Sequence, residues 1–404
     1  MNPNDPITAG LTRRQTLLAF LGAAGLSACG GGGDVAGVGA GGTGSFSVGP
    51  ITGFGSIIVN GIRYDDSSAT ITNDGQTFSR SGLRLGMVVA VQGSTVVNGV
   101  STGTRIALGS ELVGPAVNLT GSGFEVLGQT VLVNASTFFD PSLGNLADLE
   151  ANNVVEVHGV AVAGTPNTLQ ATYIERKSRT TEEYRIQGIV TAHDAGLKTF
   201  SIGTLNMSYA STDPDDVRVT PNLGALVRVR LLAGTGPVWT VERIRRPEDG
   251  LDDFSDDVEF KGTITAFTST RSFSVNQIPV DASGARFPEG EAGIALGAYV
   301  EVEGLLVNGV FMASEVELED EDENEDEDDE FELHGTISGA TTSGSGGSFT
   351  LTSSGGVSMS VDWSNTTVFE DGTPANLTSN QRAEVKGTIA SGNRITATKI
   401  EFES

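Results

Sequence analysis

The chain has 404 residues, of which 38% are hydrophobic and only 6% aromatic, and its formal net charge is −27. A single cysteine excludes an internal disulfide and a cysteine-rich zinc site. The acidity disfavours nucleic-acid backbones and anionic lipid surfaces as electrostatic partners, so we expect no nucleic-acid partner.

The first thirty residues have the layout of an export signal. Arg13 and Arg14 precede an apolar run at 17–26, which is too short to cross a hydrocarbon core about 30 Å thick. Leu26-Ser27-Ala28-Cys29 resembles a bacterial lipobox, in which the cysteine is lipidated and becomes the new N-terminus. The resemblance implies cleavage after residue 28 and a lipid on Cys29, with Leu26 as part of the signal.

The route and destination of export are predicted from the residues around this signal. Thr12–Leu17, with its two arginines, resembles a twin-arginine export motif, and the general secretory route stays open as the alternative. Gly30 rather than Asp follows the cysteine, which in Gram-negative lipoproteins is typical of the outer membrane, on its periplasmic or surface-facing side. Residues 30–44 hold nine glycines and predict a flexible tether with a reach of about 20 Å.

From Phe46 onward one set of short β segments occurs in five tandem copies. Apolar and polar residues alternate within each copy, which is typical of strands with one buried face, and pairs such as Asn60-Gly61 favour tight hairpins. An isolated copy of this size has only marginal stability. We therefore expect neighbouring copies to pack against one another or to be joined by short linkers. The pattern predicts an all-β chain of small antiparallel barrels or rolled sheets. Each copy opens with a glycine that has an apolar residue within two positions on either side. These glycines are Gly53, Gly114, Gly188, Gly262 and Gly335, spaced by 61, 74, 74 and 73 residues.

Two segments of the first copy carry a family resemblance. Gly53–Gly61 reads Gly-Phe-Gly-Ser-Ile-Ile-Val-Asn-Gly, and Leu85–Gly93 reads Leu-Gly-Met-Val-Val-Ala-Val-Gln-Gly, with a second version at Leu296–Gly304. They resemble the bacterial repeat family called domain of unknown function 5666 (DUF5666). The resemblance implies an exported protein, often a lipoprotein, with tandem barrels of oligonucleotide/oligosaccharide-binding-like (OB-like) topology. It implies no activity and no catalytic residue.

The domain organisation follows from the repeats and the changes in composition. The predicted segments are a signal peptide at 1–28, a Gly-rich tether at 29–45, repeat 1 at 46–108, repeat 2 at 109–179, repeat 3 at 180–247, an acidic linker at 248–257, repeat 4 at 258–318, an acidic spacer at 319–330 and repeat 5 at 331–404.

The acidic spacer has eleven carboxylates and one Asn in twelve residues. We interpret it as a solvated, self-repelling connection between repeats. The alternative is weak calcium binding, since Ca²⁺ prefers oxygen ligands. The candidate ligands are Asp320, Asp322, Asp326 and Asp328.

No catalytic residue and no other metal site is predicted. Gly99–Gly103 matches a Gly-x-Ser-x-Gly nucleophile motif but follows Asn98 in what reads as a hairpin turn, not a strand-to-helix elbow. His158, His193 and His334 lie in three different repeats, and we expect His158 and His334 to be exposed strand residues. The arginines of repeat 3, such as Arg228, have no row of aromatic residues beside them to bind nucleic acid.

The sequence therefore predicts a non-catalytic lipoprotein of the cell envelope, a binding or scaffold module of unknown ligand. Its partners would be the membrane, through the lipid, and an envelope protein or glycan, and no cofactor is expected beyond weakly bound calcium. A calcium-responsive acidic stalk or adhesin is the alternative, and an enzyme of unrecognised class is a more remote one.

Overall fold

The computed structural model describes residues 44–177, 183–232, 237–246, 258–307, 309–319, 331–354, 356–390 and 394–403. Among these residues no helix is long and apolar enough to span a membrane. Several predicted features lie outside the described residues: the signal peptide with Arg13, Arg14 and Leu26, the lipid site Cys29, the tether up to residue 43, the linker 248–257, and Asp320, Asp322, Asp326 and Asp328.

The described part of the chain consists of β-strands joined by turns, with short 3₁₀ segments and no α-helix, so the predicted all-β class is confirmed. A 3₁₀ turn recurs ahead of the fourth strand of a barrel. These turns are Arg80–Gly82, Leu146–Asp148, Pro214–Asp216 and Pro374–Asn376.

Repeat 1 is a closed barrel. Its strands are β1 (Gly44–Phe54), β2 (Ile57–Val59), β3 (Ile62–Asp65), β4 (Thr70–Asn73), β5 (Gln76–Thr77), β6 (Val88–Ser94) and β7 (Val100–Leu108). β1 pairs with β2 and β6, β2 with β3, and β6 with β7, all antiparallel, and β3 closes the ring by pairing parallel to β7. A ring with an odd number of strands cannot be antiparallel throughout, so one parallel pair is required.

The other four repeats have equivalent strands. Repeat 2 contains β8 (Leu112–Thr120), β9 (Gly123–Val126), β10 (Gln129–Leu132), β11 (Phe138–Phe139), β12 (Val154–Ala161) and β13 (Thr168–Arg176). Repeat 3 contains β14 (Glu183–Asp194), β15 (Thr199–Ile202), β16 (Leu205–Ser208), β17 (Leu226–Leu232) and β18 (Trp239–Arg245). Repeat 4 contains β19 (Val258–Ser269), β20 (Ser272–Val275), β21 (Ile278–Asp281), β22 (Tyr299–Val307) and β23 (Val310–Leu318). Repeat 5 contains β24 (Phe331–Ser343), β25 (Gly346–Thr352), β26 (Ser358–Trp363), β27 (Val368–Glu370), β28 (Arg382–Ala390) and β29 (Arg394–Glu403).

Each of these repeats closes in the same way as repeat 1. The parallel closing pairs are β10 with β13, β16 with β18, β21 with β23, and β26 with β29. Five small barrels of one topology, with the five-stranded ring of an OB fold, therefore follow one another along the chain.

The glycine that opens each repeat lies in its first strand, where the second strand crosses it closely. A Cβ at Gly53 would lie 2.6 Å from Ile58 Cδ1, and a Cβ at Gly188 would lie 2.6 Å from Ile202 Cγ2. The repeated glycine is thus a close-approach position, which explains why it is the most regular sequence signal.

The barrels pack against one another, and not only in chain order. β1 extends beyond its own barrel and pairs parallel with β19 of repeat 4 at one end and with β24 of repeat 5 at the other. β8 of repeat 2 pairs with β14 of repeat 3. Repeat 1 therefore contacts repeats that are far from it in sequence, which the tandem pattern does not reveal.

The apolar cores are shared between repeats. One core joins repeats 1 and 5 together with Phe138 and Tyr173 of repeat 2, and a second joins repeats 2 and 3. The third belongs to repeat 4 but includes Phe46 of repeat 1, whose ring centroid lies 5.3 Å from that of Phe260. Buried residues of different copies thus contact one another, as the marginal size of a single copy predicts.

Candidate functional site

The Gly-x-Ser-x-Gly match lies in a hairpin turn and the start of β7 in repeat 1. Asn98 and Gly99 have positive φ angles and form the turn before β7, as the sequence predicts. The Ser101 side chain is buried on β7, 3.1 Å from Ser45 Oγ, and donates to the Ser94 carbonyl at 2.8 Å. Its hydroxyl is engaged inside repeat 1.

The three histidines lie in separate repeats and have different environments. His193 Nε2 lies 2.8 Å from the Tyr209 hydroxyl. His334 is half-buried between carboxylates, so the prediction of an exposed strand residue is wrong for it. His158 is only 1% exposed, so the same prediction is wrong for it as well. The reason is that β12 packs against repeat 1, which covers the face that a lone barrel would expose to water.

The arginines of repeat 3 are paired with carboxylates. Arg230 Nε lies 2.8 Å from Glu242, and Arg243 Nε lies 2.8 Å from Asp216 Oδ1. Arg228, which is 5% exposed, points into the boundary with repeat 1. These side chains join barrels and strands and do not form an open basic groove.

A polar cavity of about 210 Å³ lies between repeats 1 and 2, and we call it the junction cavity. Its inner wall is formed by buried side chains, and its outer part by half-buried ones, which places the mouth at the surface. Repeat 1 contributes Asn73, Phe78, Gly82, Arg84, Met87 and Leu108, and repeat 2 contributes Asp140, Glu156, His158, Tyr173, Glu175 and Lys177.

His158 is held in one orientation at the inner wall. Its Nδ1 accepts a hydrogen bond of 3.1 Å from the backbone N–H of Val88. Burial lowers the pKa of His158 to about 4, so the ring is neutral at neutral pH and carries its proton on Nε2. Nε2 lies 4.0 Å from Glu156 Oε1 and has no hydrogen-bond partner among the described residues. A fixed N–H donor therefore remains available at the cavity wall.

Two of the three carboxylates of the cavity, Glu156 and Glu175, are paired with nearby cations. Lys177 Nζ lies 2.8 Å from Glu156 and 3.1 Å from Glu175, and Arg185 Nη1 lies 3.5 Å from Glu156. Burial alone would raise the pKa of Glu156, but the neighbouring His158, Lys177 and Arg185 outweigh it and lower the pKa to about 2. Glu156 is therefore ionised and paired.

A second cavity of about 270 Å³ adjoins the first, because Tyr173 and Arg84 line both. Its walls include Phe138 and Phe139 of repeat 2 and Met359 of repeat 5, so we call it the aromatic cavity. Tyr173 is 3% exposed, and burial raises the pKa of its hydroxyl. No described residue forms a hydrogen bond with that hydroxyl, although buried tyrosine hydroxyls ordinarily find a partner.

A buried ion network lies next to the junction cavity and fastens repeat 3 to repeat 1. Asp74 forms ion pairs with Arg185 and with Arg228, whose Nε lies 2.9 Å from Asp74 Oδ1. Burial would raise the pKa of Asp74, but the charges of Arg228, Arg185 and Arg245 lower it. These contacts hold the walls of the cavity in place.

A cluster of side-chain atoms of the kinds that bind metal ions lies between repeats 1 and 5. Atoms of Glu332, His334 and Glu384 lie within 4.8 Å of one another, and His334 Nδ1 lies 2.7 Å from Glu403 Oε1. Arg63 of repeat 1 and Lys386 already pair with Glu332. The cluster acts as an ion-pair network that binds β24 to repeat 1.

Sequence analysis does not find the junction cavity. Glu156, His158 and Tyr173 occupy ordinary alternating positions on β12 and β13, and nothing in their local pattern distinguishes them from surface residues. The only signal is the pair Glu156 and His158 among apolar neighbours, two ionisable residues on the same face of one strand.

Comparisons with known proteins agree with the repeat organisation. The sequence profile described as "Domain of unknown function (DUF5666)" matches residues 48–107, 113–175, 261–317 and 334–401. A solved structure from Drosophila, titled "drosophila Unr CSD456", is 16% identical over 47% of this chain and 84% of that chain, with a TM-score of 0.16. No curated protein matches the chain.

Repeat 3 is not among the matched ranges, yet its strands β14–β18 close in the same ring as those of the four matched repeats. The matches cover more than half of the sequence. The chain therefore belongs to the DUF5666 family, as a tandem array of its β-domains.

Proposed function

We propose that this chain is a non-catalytic binding module of the cell envelope, held there by a lipid on Cys29, and that the junction cavity is its binding site. The observation that carries the proposal is a polar cavity with walls from two repeats. On its buried side lie His158 Nε2 and the Tyr173 hydroxyl, neither of which has a hydrogen-bond partner in the described part of the chain. Fixed polar groups in a concave site give a small ligand its orientation.

The charge states of His158 and Glu156 suit binding better than acid–base catalysis by these two groups. A general acid or base works best with a pKa near the operating pH. Burial and ion pairing move the pKa of His158 to about 4 and that of Glu156 to about 2, far from neutrality on the acidic side. Both groups keep one protonation state through the neutral range, which suits recognition.

The binding role is tested by hydrogen–deuterium exchange of the lipidated protein in its own envelope membranes and after purification. A ligand in the cavity adds protection to residues 78–88 and 154–177, which form its walls, and leaves the strands of repeat 4 unchanged. Equal exchange of the wall segments in both samples would remove the support for a bound envelope ligand.

The anchor is tested separately by labelling cells with palmitate and fractionating them. We expect the natural chain to carry label and sediment with the membranes, and the Cys29→Ala chain to lose both, because the thiol is the attachment atom. Label that persists on the Cys29→Ala chain would contradict the lipid anchor.

A further inference from the structure

Two neighbouring cavities suggest the size of the ligand. A cavity of about 150 Å³ is enough to hold a benzene ring. The junction cavity, about 210 Å³, and the aromatic cavity, about 270 Å³, each exceed that volume and meet at Tyr173 and Arg84. A ligand of two linked six-membered rings has the right dimensions to occupy both.

The polar groups of the junction cavity call for a ligand that both donates and accepts hydrogen bonds. His158 Nε2–H is a donor, and the Tyr173 hydroxyl is a donor and acceptor. Carboxylates such as Glu175 add acceptors. A hydroxyl group carries both functions on one atom, so a small ring that bears several hydroxyls fits this set of groups.

The charges argue against an ionic ligand. Three carboxylates line the cavity, Asp140, Glu156 and Glu175. Arg84 and Lys177 line the same cavity, and Arg185 lies 3.5 Å from Glu156, so charges of both signs surround the space. A ligand with net charge of either sign would meet a like charge as well as an opposite one and would lose its own hydration, so a neutral ligand is favoured.

The aromatic cavity supplies the apolar contact that a sugar ring needs. A saccharide ring presents hydroxyls at its edge and C–H groups on its faces, and the faces pack on aromatic side chains. Phe138, Phe139 and Tyr173 line this cavity beside Ser358 and Ser360, so apolar walls and hydroxyls are combined.

We propose that the junction cavity and the aromatic cavity together bind a neutral saccharide, with one sugar ring in each. The inference rests on the proposed function and names the ligand class of the same site. The ligand is recognised by its hydroxyl groups and lies between repeats 1, 2 and 5.

The test is calorimetric titration of the full purified chain with trisaccharides that differ in charge. The neutral probes are maltotriose and triacetylchitotriose, the cationic probe is deacetylated chitotriose and the anionic probe is trigalacturonate. We expect saturable binding of a neutral probe, at least about tenfold tighter than binding of either charged probe. Equal or tighter binding of a charged probe, or no saturation by a neutral one up to about 10 mM, would overturn the proposal.

Two substitutions locate the binding. Tyr173→Phe removes one hydroxyl, and we expect about fivefold weaker binding of the neutral probe. Tyr209→Phe makes the same change in repeat 3, away from both cavities, and is expected to bind like the natural chain. Unchanged binding by Tyr173→Phe would contradict the site.

If Tyr173→Phe does not fold, Asp140→Asn at the mouth of the junction cavity replaces it. We expect weaker binding of the neutral probe and relatively tighter binding of trigalacturonate, because one carboxylate is removed. Residues 78–88 and 154–177 could be protected from exchange in envelope membranes while no trisaccharide binds. That result would refute a saccharide ligand and leave the proposed binding function standing. Absence of both the protection and the trisaccharide binding would refute the ligand class and the proposed function together.

Discussion

At the scale of single residues, ionisable groups are buried between barrels, and Glu111 is one of them. Glu111 lies between β7 and β8, is 2% exposed, and its Oε2 has no hydrogen-bond partner among the described residues. Arg228 is near it but is already paired with Asp74 at 2.9 Å. Burial therefore dominates and raises the pKa of Glu111 to about 8.

The raised pKa of Glu111 makes folding pH-dependent. The unfolded chain releases this proton near pH 4.5 and the folded chain only near pH 8, so the stabilisation that Glu111 contributes is full below pH 4.5 and is lost as the pH rises through 8. Between pH 4.5 and 8 the free energy of unfolding of the natural chain should therefore fall by on the order of a few kcal/mol because of Glu111. We expect this decrease to be absent in Glu111→Gln, as measured by urea unfolding at a series of pH values.

The control for this prediction is Glu125→Gln, a change of the same chemistry at an exposed hydrogen bond to Asn118. It should leave the pH profile of unfolding as it is in the natural chain. A profile for Glu111→Gln that also follows the natural chain would show that Glu111 is not protonated in the folded protein.

Asp74 tests the buried ion network between repeats 1 and 3. Asp74→Asn leaves Arg228, which is 5% exposed, without its counter-charge, and we expect a loss of about 3 kcal/mol in the free energy of unfolding. Asp216→Asn breaks the ion pair with Arg243, whose side chain is 30% exposed, and should cost less than about 1 kcal/mol. Similar losses for both variants would mean that the buried network stabilises the boundary between repeats 1 and 3 no more than an exposed ion pair does.

At the scale of elements, equivalent turns have acquired different roles in different repeats. The Leu-Gly turn before the fourth ring strand contains Gly86 in repeat 1 and Gly297 in repeat 4, with φ angles of +78° and +87°. Gly86 rests against β13, since a Cβ there would lie 2.2 Å from the Thr172 carbonyl oxygen, and Thr172 Oγ1 donates to the Gly86 carbonyl at 2.6 Å. Nothing lies within 4 Å of a Cβ at Gly297.

These two glycines form a matched pair of substitutions. Gly297→Ala carries only the penalty of a positive φ, about 1–2 kcal/mol. Gly86→Ala carries that penalty and also pushes β13 away, so we expect it to lose about 1–3 kcal/mol more in urea unfolding followed by circular dichroism. Equal losses would show that the contact between repeats 1 and 2 adjusts at no cost.

At the scale of the whole molecule, shared cores determine which parts fold together. The second core lies entirely within residues 109–246, whereas the core of repeat 1 includes side chains of repeat 5 such as Phe331, whose ring centroid lies 4.7 Å from that of Phe138. A barrel of about 60 residues buries only about 60% of the surface that its unfolded chain exposes, so its stability alone is marginal.

Fragments of the chain should therefore differ in stability. We expect residues 109–246 to unfold in one cooperative transition, measured by circular dichroism and urea, and residues 46–108 to remain unfolded or aggregated in water. A stably folded fragment 46–108 would show that the contacts of repeat 1 with repeats 4 and 5 are dispensable for its fold.

The sequence by itself determined the strands, the hairpin turns, the number of repeats and the family. These features are local: alternation with period two, Asn-Gly turns and a glycine where two strands cross each act within a few residues. The predicted lipid anchor is equally local, being carried by residues 13–29.

Only the tertiary structure decided which barrels touch and where a site lies between them. Val88 and His158 are 70 positions apart when they bond, and the Asn60 side chain donates to the carbonyl of Lys261 across 201 positions. Such contacts depend on the fit of whole barrel surfaces, and no local pattern encodes that fit. For this reason His158 reads as an exposed strand residue in the sequence and is a buried cavity wall in the folded protein.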